Sequence, residues 1–135
     1  MTVLRWMLDT DICVRVLRDR PPSLRPRFNS EAAGLAISTV TFAELVYGAE
    51  KSARPAQTLA EVDRLAARLT VLAFDDRAAA HAANIRAVLE RAGTPIGSYD
   101  LLIAGHARSL GLVIVTGNLR EFSRVEGLRS ENWLE

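Results

Sequence analysis

Hydrophobic positions along the chain come in short apolar blocks separated by longer amphipathic ones. Blocks of strand length lie at residues 3–8, 35–38, 71–74, 112–116 and 128–133. Apolar residues at helical spacing predict a short helix stopped by Pro21-Pro22 and longer helices over 39–51, 55–69, 77–91 and 99–110. Apolar strands that alternate with helices predict an α/β fold with a parallel sheet covered on both faces.

Composition narrows the class of protein. The chain has 135 residues, of which 49% are hydrophobic and 24% charged, so residues 1–135 are expected to form one globular domain. The formal net charge is only +1, which excludes a strong overall attraction to polyanions. A single cysteine excludes an internal disulfide. Charges within the first strand region and the lack of a long apolar stretch predict a cytoplasmic protein with no membrane segment.

Several polar residues follow the predicted strands. Asp9 and Asp11 end the first strand, and Asn118 and Glu121 follow the strand at 112–116. Ligands of parallel sheets bind beyond the carboxyl ends of the strands, so these side chains are expected at one edge.

Two further acids occupy unusual positions in apolar helices. Glu44 has no basic residue three or four positions away, and Asp100 opens a helix that is apolar nearly all round. Each acid also has a structural interpretation: Glu44 can point to solvent, and Asp100 can favour the helix dipole. Four gathered carboxylates would repel one another unless a divalent cation neutralised them, and oxygen ligands suit Mg²⁺ or Mn²⁺.

The sequence gives only weak signals for other kinds of functional site. His81 and His106 lack partners at zinc-ligand spacing and are expected to be structural. Glycine-rich nucleotide-binding loops are absent from the sequence. A basic run near the first acids is interpreted as a solvated face, with contact to an RNA backbone as the alternative. It comprises Arg15, Arg18, Arg20, Arg25 and Arg27.

Four segments resemble the PIN-domain ribonucleases and, more narrowly, the VapC toxins of type II toxin–antitoxin modules. They are MLDTDI at 7–12, TFAELVYG at 41–48, GSYDLLIA at 97–104 and VTGNLREF at 115–122. The resemblance implies a PIN-like three-layer fold with a parallel sheet of about five strands. It also implies a metal-dependent endoribonuclease acting on RNA, often transfer RNA, and a homodimer inhibited by a cognate VapB-like antitoxin.

The same resemblance assigns roles to single residues. Asp9, Glu44 and Asp100 match the core carboxylates of the family, with Asp9 and Asp100 as the metal ligands for Mg²⁺ or Mn²⁺. Glu121 matches a more variable fourth acid and completes the catalytic set. Thr116 and Asn118 match polar residues of the rim, and whether they take part in the site stays open.

Two departures from the family pattern concern this site. The family usually has asparagine at the position of Asp11, and it often has asparagine at the position of Gly117. We expect Asp11 chiefly to cap a helix that begins near Ile12, because an asparagine could accept the same backbone hydrogen bond.

Two other functions remain as alternatives. Asp9 and Asp11 also resemble the paired aspartates of haloacid-dehalogenase-type phosphatases, although Lys51, the only lysine, is poorly placed for that chemistry. A catalytically idle PIN-fold module that only binds protein is the second alternative.

Overall fold

A computed structural model describes residues 3–134 of the chain. Its strands are β1 (Trp6–Leu8), β2 (Leu35–Ser38), β3 (Thr70–Leu72), β4 (Val113–Val115) and β5 (Ser130–Glu131). Its helices are α1 (Thr10–Arg18), α2 (Leu24–Glu31), α3 (Thr39–Glu50), α4 (Pro55–Ala66), α5 (Asp76–Arg91), α6 (Ser98–Leu110) and α7 (Leu119–Phe122). A turn of 3-10 helix, Ala32–Gly34, leads into β2.

The strands form one parallel sheet in the order β3-β2-β1-β4-β5, which confirms the predicted α/β class. Met7 pairs with Ala36 on one side and with Ile114 on the other, so β1 is the central strand. The chain adds β2 and β3 to one side of β1 and then β4 and β5 to the other. This reversal opens a crevice beyond the carboxyl ends of β1 and β4, where open α/β sheets bind ligands.

Alternate residues of the strands enter two separate cores, because successive side chains of a strand point to opposite faces. Leu8 and Ile37 are buried with residues of α1 to α4 on one face. Met7 and Ile114 are buried with residues of α5, α6 and α7 on the other. The sheet is therefore the middle of three layers, as the resemblance implied.

Small residues let α5 and α6 approach closely. A Cβ added to Gly105 of α6 would lie 2.5 Å from the backbone nitrogen of Ala82 in α5. The alanine-rich sequence of α5 thus provides a surface against which α6, and with it Asp100, takes a fixed position.

Some elements differ from the sequence predictions. α2 and α7 were not predicted: α2 is mostly polar and contains Pro26, yet Leu24 and Phe28 anchor it in the core. Pro26 lies in the first turn of α2, where its missing N–H costs no helical hydrogen bond. β1 begins three residues later than the predicted strand. No helix within residues 3–134 has both the length and the apolar character needed to cross a bilayer.

Candidate active site

Asp9 lies at the end of β1 and is nearly inaccessible, with 3% of its surface exposed. Its backbone N–H donates to the carbonyl of Val115 at 3.0 Å, which continues the pairing of β1 with β4. Its carboxylate accepts the N–H of Ile12 at 2.9 Å and so caps α1. The prediction that Asp11 caps this helix is therefore wrong: the helix begins at Thr10, and Asp9 is its N-cap.

Asp11 lies in the first turn of α1 and is exposed, paired with Arg15 at 2.9 Å. Its Oδ2 lies 3.3 Å from the position of a Cβ added to Gly117, and that Cβ would also lie 2.8 Å from Leu134. The two departures from the family pattern, Asp11 and Gly117, are thus neighbours in space. Gly117 leaves room for the Asp11 carboxylate beside the site.

Glu44 projects from α3, the helix that follows β2. The Thr10 hydroxyl donates a hydrogen bond to the Glu44 carboxylate at 2.5 Å and lies 3.3 Å from the Thr41 hydroxyl. Glu44 is half-buried, so it does not simply point to solvent. Thr10 was missed by sequence reasoning, although a hydroxyl between two aspartates of a strand-to-helix turn was a usable signal.

Asp100 lies in the first turn of α6 and is half-buried. Beyond β4, the buried Thr116 hydroxyl accepts the N–H of Asn118 at 2.8 Å. Asn118 caps α7, and its side-chain amide donates to the Glu121 carboxylate. Thr116 and Asn118 therefore belong to the hydrogen-bond network that positions Glu121.

Burial and repulsion shift the titration of the two central aspartates. Burial raises the pKa of Asp9 to about 6, opposed by hydrogen bonds from Thr116 and Ile12 and reinforced by the charges of Asp11 and Glu44. Burial raises the pKa of Asp100 to about 6, and the charges of Asp9, Glu121 and Glu44 add to the shift. The other three predicted catalytic acids are thus near enough to Asp100 for their charges to destabilise its ionised form.

The donor chemistry of this acid cluster, defined as Asp9, Glu44, Asp100 and Glu121, suits a hard divalent cation. In their present rotamers, no three histidine, cysteine, aspartate or glutamate side chains within residues 3–134 are arranged to hold a metal ion. Glu44 is turned toward Thr10 and Glu121 toward Asn118. Carboxylate oxygens that repel one another in a partly buried crevice nevertheless match the ligands that Mg²⁺ and Mn²⁺ prefer.

The remaining candidates contact groups outside the acid cluster. His81 accepts a hydrogen bond from Arg108 at 2.9 Å, and His106 is buried edge-on against Phe74. Lys51 lies at the C-terminal end of α3, with its ammonium 4.9 Å from the centre of the Tyr47 ring. Three arginines of the basic run are in ion pairs, which favours the solvated-face interpretation. They are Arg15 with Asp11, Arg25 with Asp19 and Arg27 with Glu131.

Comparison with known proteins shows to which family this fold belongs. The PIN domain family matches residues 6–128 of the chain. A structure of DNA-bound VapBC from Salmonella typhimurium has a chain with a TM-score of 0.93 and 50% identity, covering 97% of this chain and 99% of that one. A structure of VapBC2 from Rickettsia felis bound to a promoter DNA fragment has a TM-score of 0.90 and 36% identity, covering 96% and 99%. The fold and site thus define a PIN-domain protein.

Two similar proteins show to which group of PIN-domain proteins the chain belongs. The tRNA(fMet)-specific endonuclease VapC of Shigella flexneri is 51% identical over 131 residues, covering 97% of this chain and 99% of that protein. Ribonuclease VapC2 of Haemophilus influenzae is 47% identical over 132 residues, covering 98% and 100%. The chain belongs to the VapC ribonucleases of the PIN-domain family and is an endoribonuclease.

Neither alternative function is supported. The relatives are named as ribonucleases, which favours neither a phosphatase nor an idle binding module. For a phosphatase, Asp11 would have to act as a free acid, yet it is paired with Arg15. Lys51 lies at the far end of α3 and contacts Tyr47.

Proposed function

We propose that this VapC ribonuclease is the toxin of a toxin–antitoxin pair and hydrolyses transfer RNA with Mg²⁺ or Mn²⁺ as cofactor. One observation carries the proposal: Asp9 at the end of β1, Glu44 of α3 and Glu121 of α7 are close enough for their charges to act on Asp100 of α6. The name of the Shigella relative, a tRNA(fMet)-specific endonuclease, supports transfer RNA as the substrate class.

Asp9 and Asp100 are the residues that would hold the metal ion. When bound, such an ion lowers the pKa of a water and stabilises negative charge on the phosphate. Asp9 is suited to this role because backbone contacts to Val115 and Ile12 fix it at the end of β1. The hydrogen bonds from Thr10 to Glu44 and from Asn118 to Glu121 would keep these two carboxylates at the rim of the crevice. There the carboxylates would orient the attacking water and accept its proton.

In this route the water, and not the ribose 2′-hydroxyl, would attack the phosphorus, and the bond between the phosphorus and the 3′-oxygen would break. The products are therefore expected to carry 5′-phosphate and 3′-hydroxyl ends.

Cleavage of transfer RNA by the purified chain tests this proposal. Asp9→Asn and Asp100→Asn are expected to abolish cleavage with Mg²⁺ or Mn²⁺, and EDTA to stop the wild type. Asp63→Asn is the matched control, because Asp63 is an exposed aspartate of α4 outside the acid cluster. Cleavage that persists in EDTA, or products with 2′,3′-cyclic phosphates, would contradict the mechanism.

A VapB-like antitoxin is the proposed inhibitor, since the similar structures from Salmonella and Rickettsia are of VapBC complexes. A groove of about 290 Å³ between α1, α3 and α4 is suited to an amphipathic segment of that partner. Its apolar lining includes Leu17, Leu45 and Val62, and Glu44 lies at its edge. A basic side chain of the partner that follows this groove would reach the acid cluster and compete with the metal.

Growth assays test the toxin role. Expression of the wild-type chain alone is expected to arrest growth, and co-expression of its VapB-like antitoxin is expected to restore growth. Harmless expression of an active wild-type chain would contradict the role. We further propose that residues 1–135 act as one PIN domain in the cytoplasm and that the protein is a homodimer. Sedimentation of the purified chain tests the homodimer.

A further inference from the structure

Exposed aromatic residues are confined to two positions. The chain has four phenylalanines, two tryptophans and two tyrosines. The phenylalanines and tryptophans are buried or half-buried, whereas Tyr47 and Tyr99 are 64% and 58% exposed. We propose that Tyr47 and Tyr99 are specificity-determining residues that stack on unpaired RNA bases on either side of the cleaved phosphodiester bond. This inference rests on the proposed ribonuclease site and assigns it a class of RNA structure.

Both tyrosines are adjacent to acids of the cluster. Tyr99 directly precedes Asp100 in the first turn of α6. Tyr47 follows Glu44 by three residues, which places it one helical turn further along α3. The two tyrosines therefore lie on two helices, α3 and α6, that pack against each other and that each carry one acid of the cluster.

Neither tyrosine belongs to the cavities beside it. The groove proposed for the antitoxin is lined by Glu44, Leu45, Gly48 and Ala49 of α3, but not by Tyr47. The cavity between α5 and α6 is lined by Ser98, Leu101 and Leu102, but not by Tyr99. The exposed surfaces of both rings therefore lie outside these two cavities and are accessible to a ligand.

Because the protein carries little net charge, we expect base stacking to contribute more to its affinity for RNA than attraction to phosphates does. The net charge is +1, and three arginines of the basic run are already paired with acids, so attraction to phosphates is limited. Stacking of a base on an aromatic ring needs no such charge, and it requires bases that are not already paired. The Lys51 ammonium lies 4.9 Å from the centre of the Tyr47 ring, where it can meet a phosphate of an RNA whose base stacks on this exposed ring.

Binding measurements test the stacking role independently of cleavage. The protein carries Asp9→Asn, which removes a proposed metal ligand, and the probes are a fluorescent RNA hairpin with a single-stranded loop and a duplex of equal length. Tyr47→Ala or Tyr99→Ala is expected to raise the Kd for the hairpin about tenfold and to leave the duplex unchanged. Tyr→Phe at either position should restore binding, since phenylalanine keeps the ring. Val88→Ala on α5 is the control for loss of an exposed apolar side chain.

Removal of the base provides the decisive comparison. A hairpin with abasic loop nucleotides is expected to bind the parent and the alanine variants equally, because no base is left to stack. The inference is overturned if Tyr→Ala weakens the intact and abasic hairpins alike, or has no effect on either. It is also overturned if the variants keep their RNA affinity but lose self-association or antitoxin binding. Whether the wild-type chain cleaves RNA is a separate result and decides the proposed function itself.

Discussion

Asp9 combines two roles at the residue scale that the sequence pattern divided between two aspartates. Its carboxylate caps α1 and also lies in the acid cluster. Asn can accept the same N–H at the cap but is a poorer ligand for a hard cation. One substitution can therefore separate the structural role of this residue from its proposed catalytic role.

Asp9→Asn is expected to stabilise the metal-free protein while abolishing cleavage. Burial raises the pKa of Asp9 to about 6, so above that pH the ionised group is less stable in the folded chain than in the unfolded one. A neutral amide keeps the cap and removes this penalty, which raises the free energy of unfolding at pH 8 by about 1–3 kcal/mol. Thermal melts in EDTA measure it.

Asp11→Asn is the matched control for that substitution. Asp11 is exposed and makes only a surface ion pair with Arg15, so its loss is expected to change stability by less than about 1 kcal/mol. A stability loss at Asp11→Asn well above about 1 kcal/mol would contradict the assignment of Asp11 to a surface ion pair and of the cap to Asp9.

His106 is expected to make the protein sensitive to acid. Burial lowers its pKa, opposed by the charge of Asp75, and its Nδ1 is buried without a hydrogen-bond partner among the described residues. A lowered pKa favours the neutral form of His106 in the folded chain. The contribution of His106 to stability is therefore fully present above pH 6.5, and it is lost as the pH falls through the lowered pKa of the folded state. His106→Leu should therefore lose less stability than the wild type between pH 7.5 and about 5.

The test compares how the free energy of unfolding of the wild type and of His106→Leu depends on pH. Asp9 and Asp100 titrate in the same range, but both proteins contain them, so their contribution cancels. Denaturant unfolding at several pH values measures the difference. Parallel pH profiles for the wild type and His106→Leu would contradict the role assigned to His106.

Elements with a strong hydrophobic pattern were predictable from the sequence. The sheet and its longer helices followed from apolar blocks and spacing, and Gly93, with φ +72°, ends α5 as its sequence position indicated. α2 was missed because two buried anchors, Leu24 and Phe28, are its only strong apolar signal. The start of α1 was misplaced because any of several polar residues in the turn could serve as a cap.

The candidate site was predictable in part for the same reason. Strand ends and isolated acids in apolar helices indicated which carboxylates to consider, and the structure brings Asp9, Glu44 and Glu121 near enough to Asp100 for their charges to act on it. Hydrogen bonds between elements, such as Thr10 with Glu44, depend on the packing of α1 against α3 and could not be inferred from spacing along the chain.

Close packing of α5 and α6 predicts opposite effects for two glycine substitutions in helices. Gly105→Ala would place a methyl group 2.5 Å from the backbone of Ala82, which is expected to destabilise the fold by about 1–3 kcal/mol. Gly48→Ala in α3 meets nothing within 4 Å, and alanine is the better helix former by about 0.5–1 kcal/mol. Thermal melts of the two variants should shift in opposite directions, and equal shifts would contradict the packing.

The whole molecule brings distant parts of the chain to one crevice. Asp9 and Glu44 come from the first half of the sequence, and Asp100 and Glu121 from the second. The reversal of strand order between β1 and β4 places both halves at the same edge of the sheet. The two halves are thus joined at a point where their charges repel one another.

A bound cation should therefore stabilise the fold as well as support cleavage. Burial, reinforced by repulsion from neighbouring carboxylates, raises the pKa of both Asp9 and Asp100 to about 6. An ion held by these two residues would link the end of β1 to α6 and stabilise their ionised forms. A ligand that binds only the folded state, present at 100 times its Kd, adds about 2.7 kcal/mol to the free energy of unfolding. Mn²⁺ or Mg²⁺ is expected to raise the Tm of the wild type and of Asp63→Asn by several degrees, and to leave Asp100→Asn unchanged. Sodium chloride at matched ionic strength separates this effect from general screening. An equal rise in all three proteins would show that the ions act on the surface and not through Asp100.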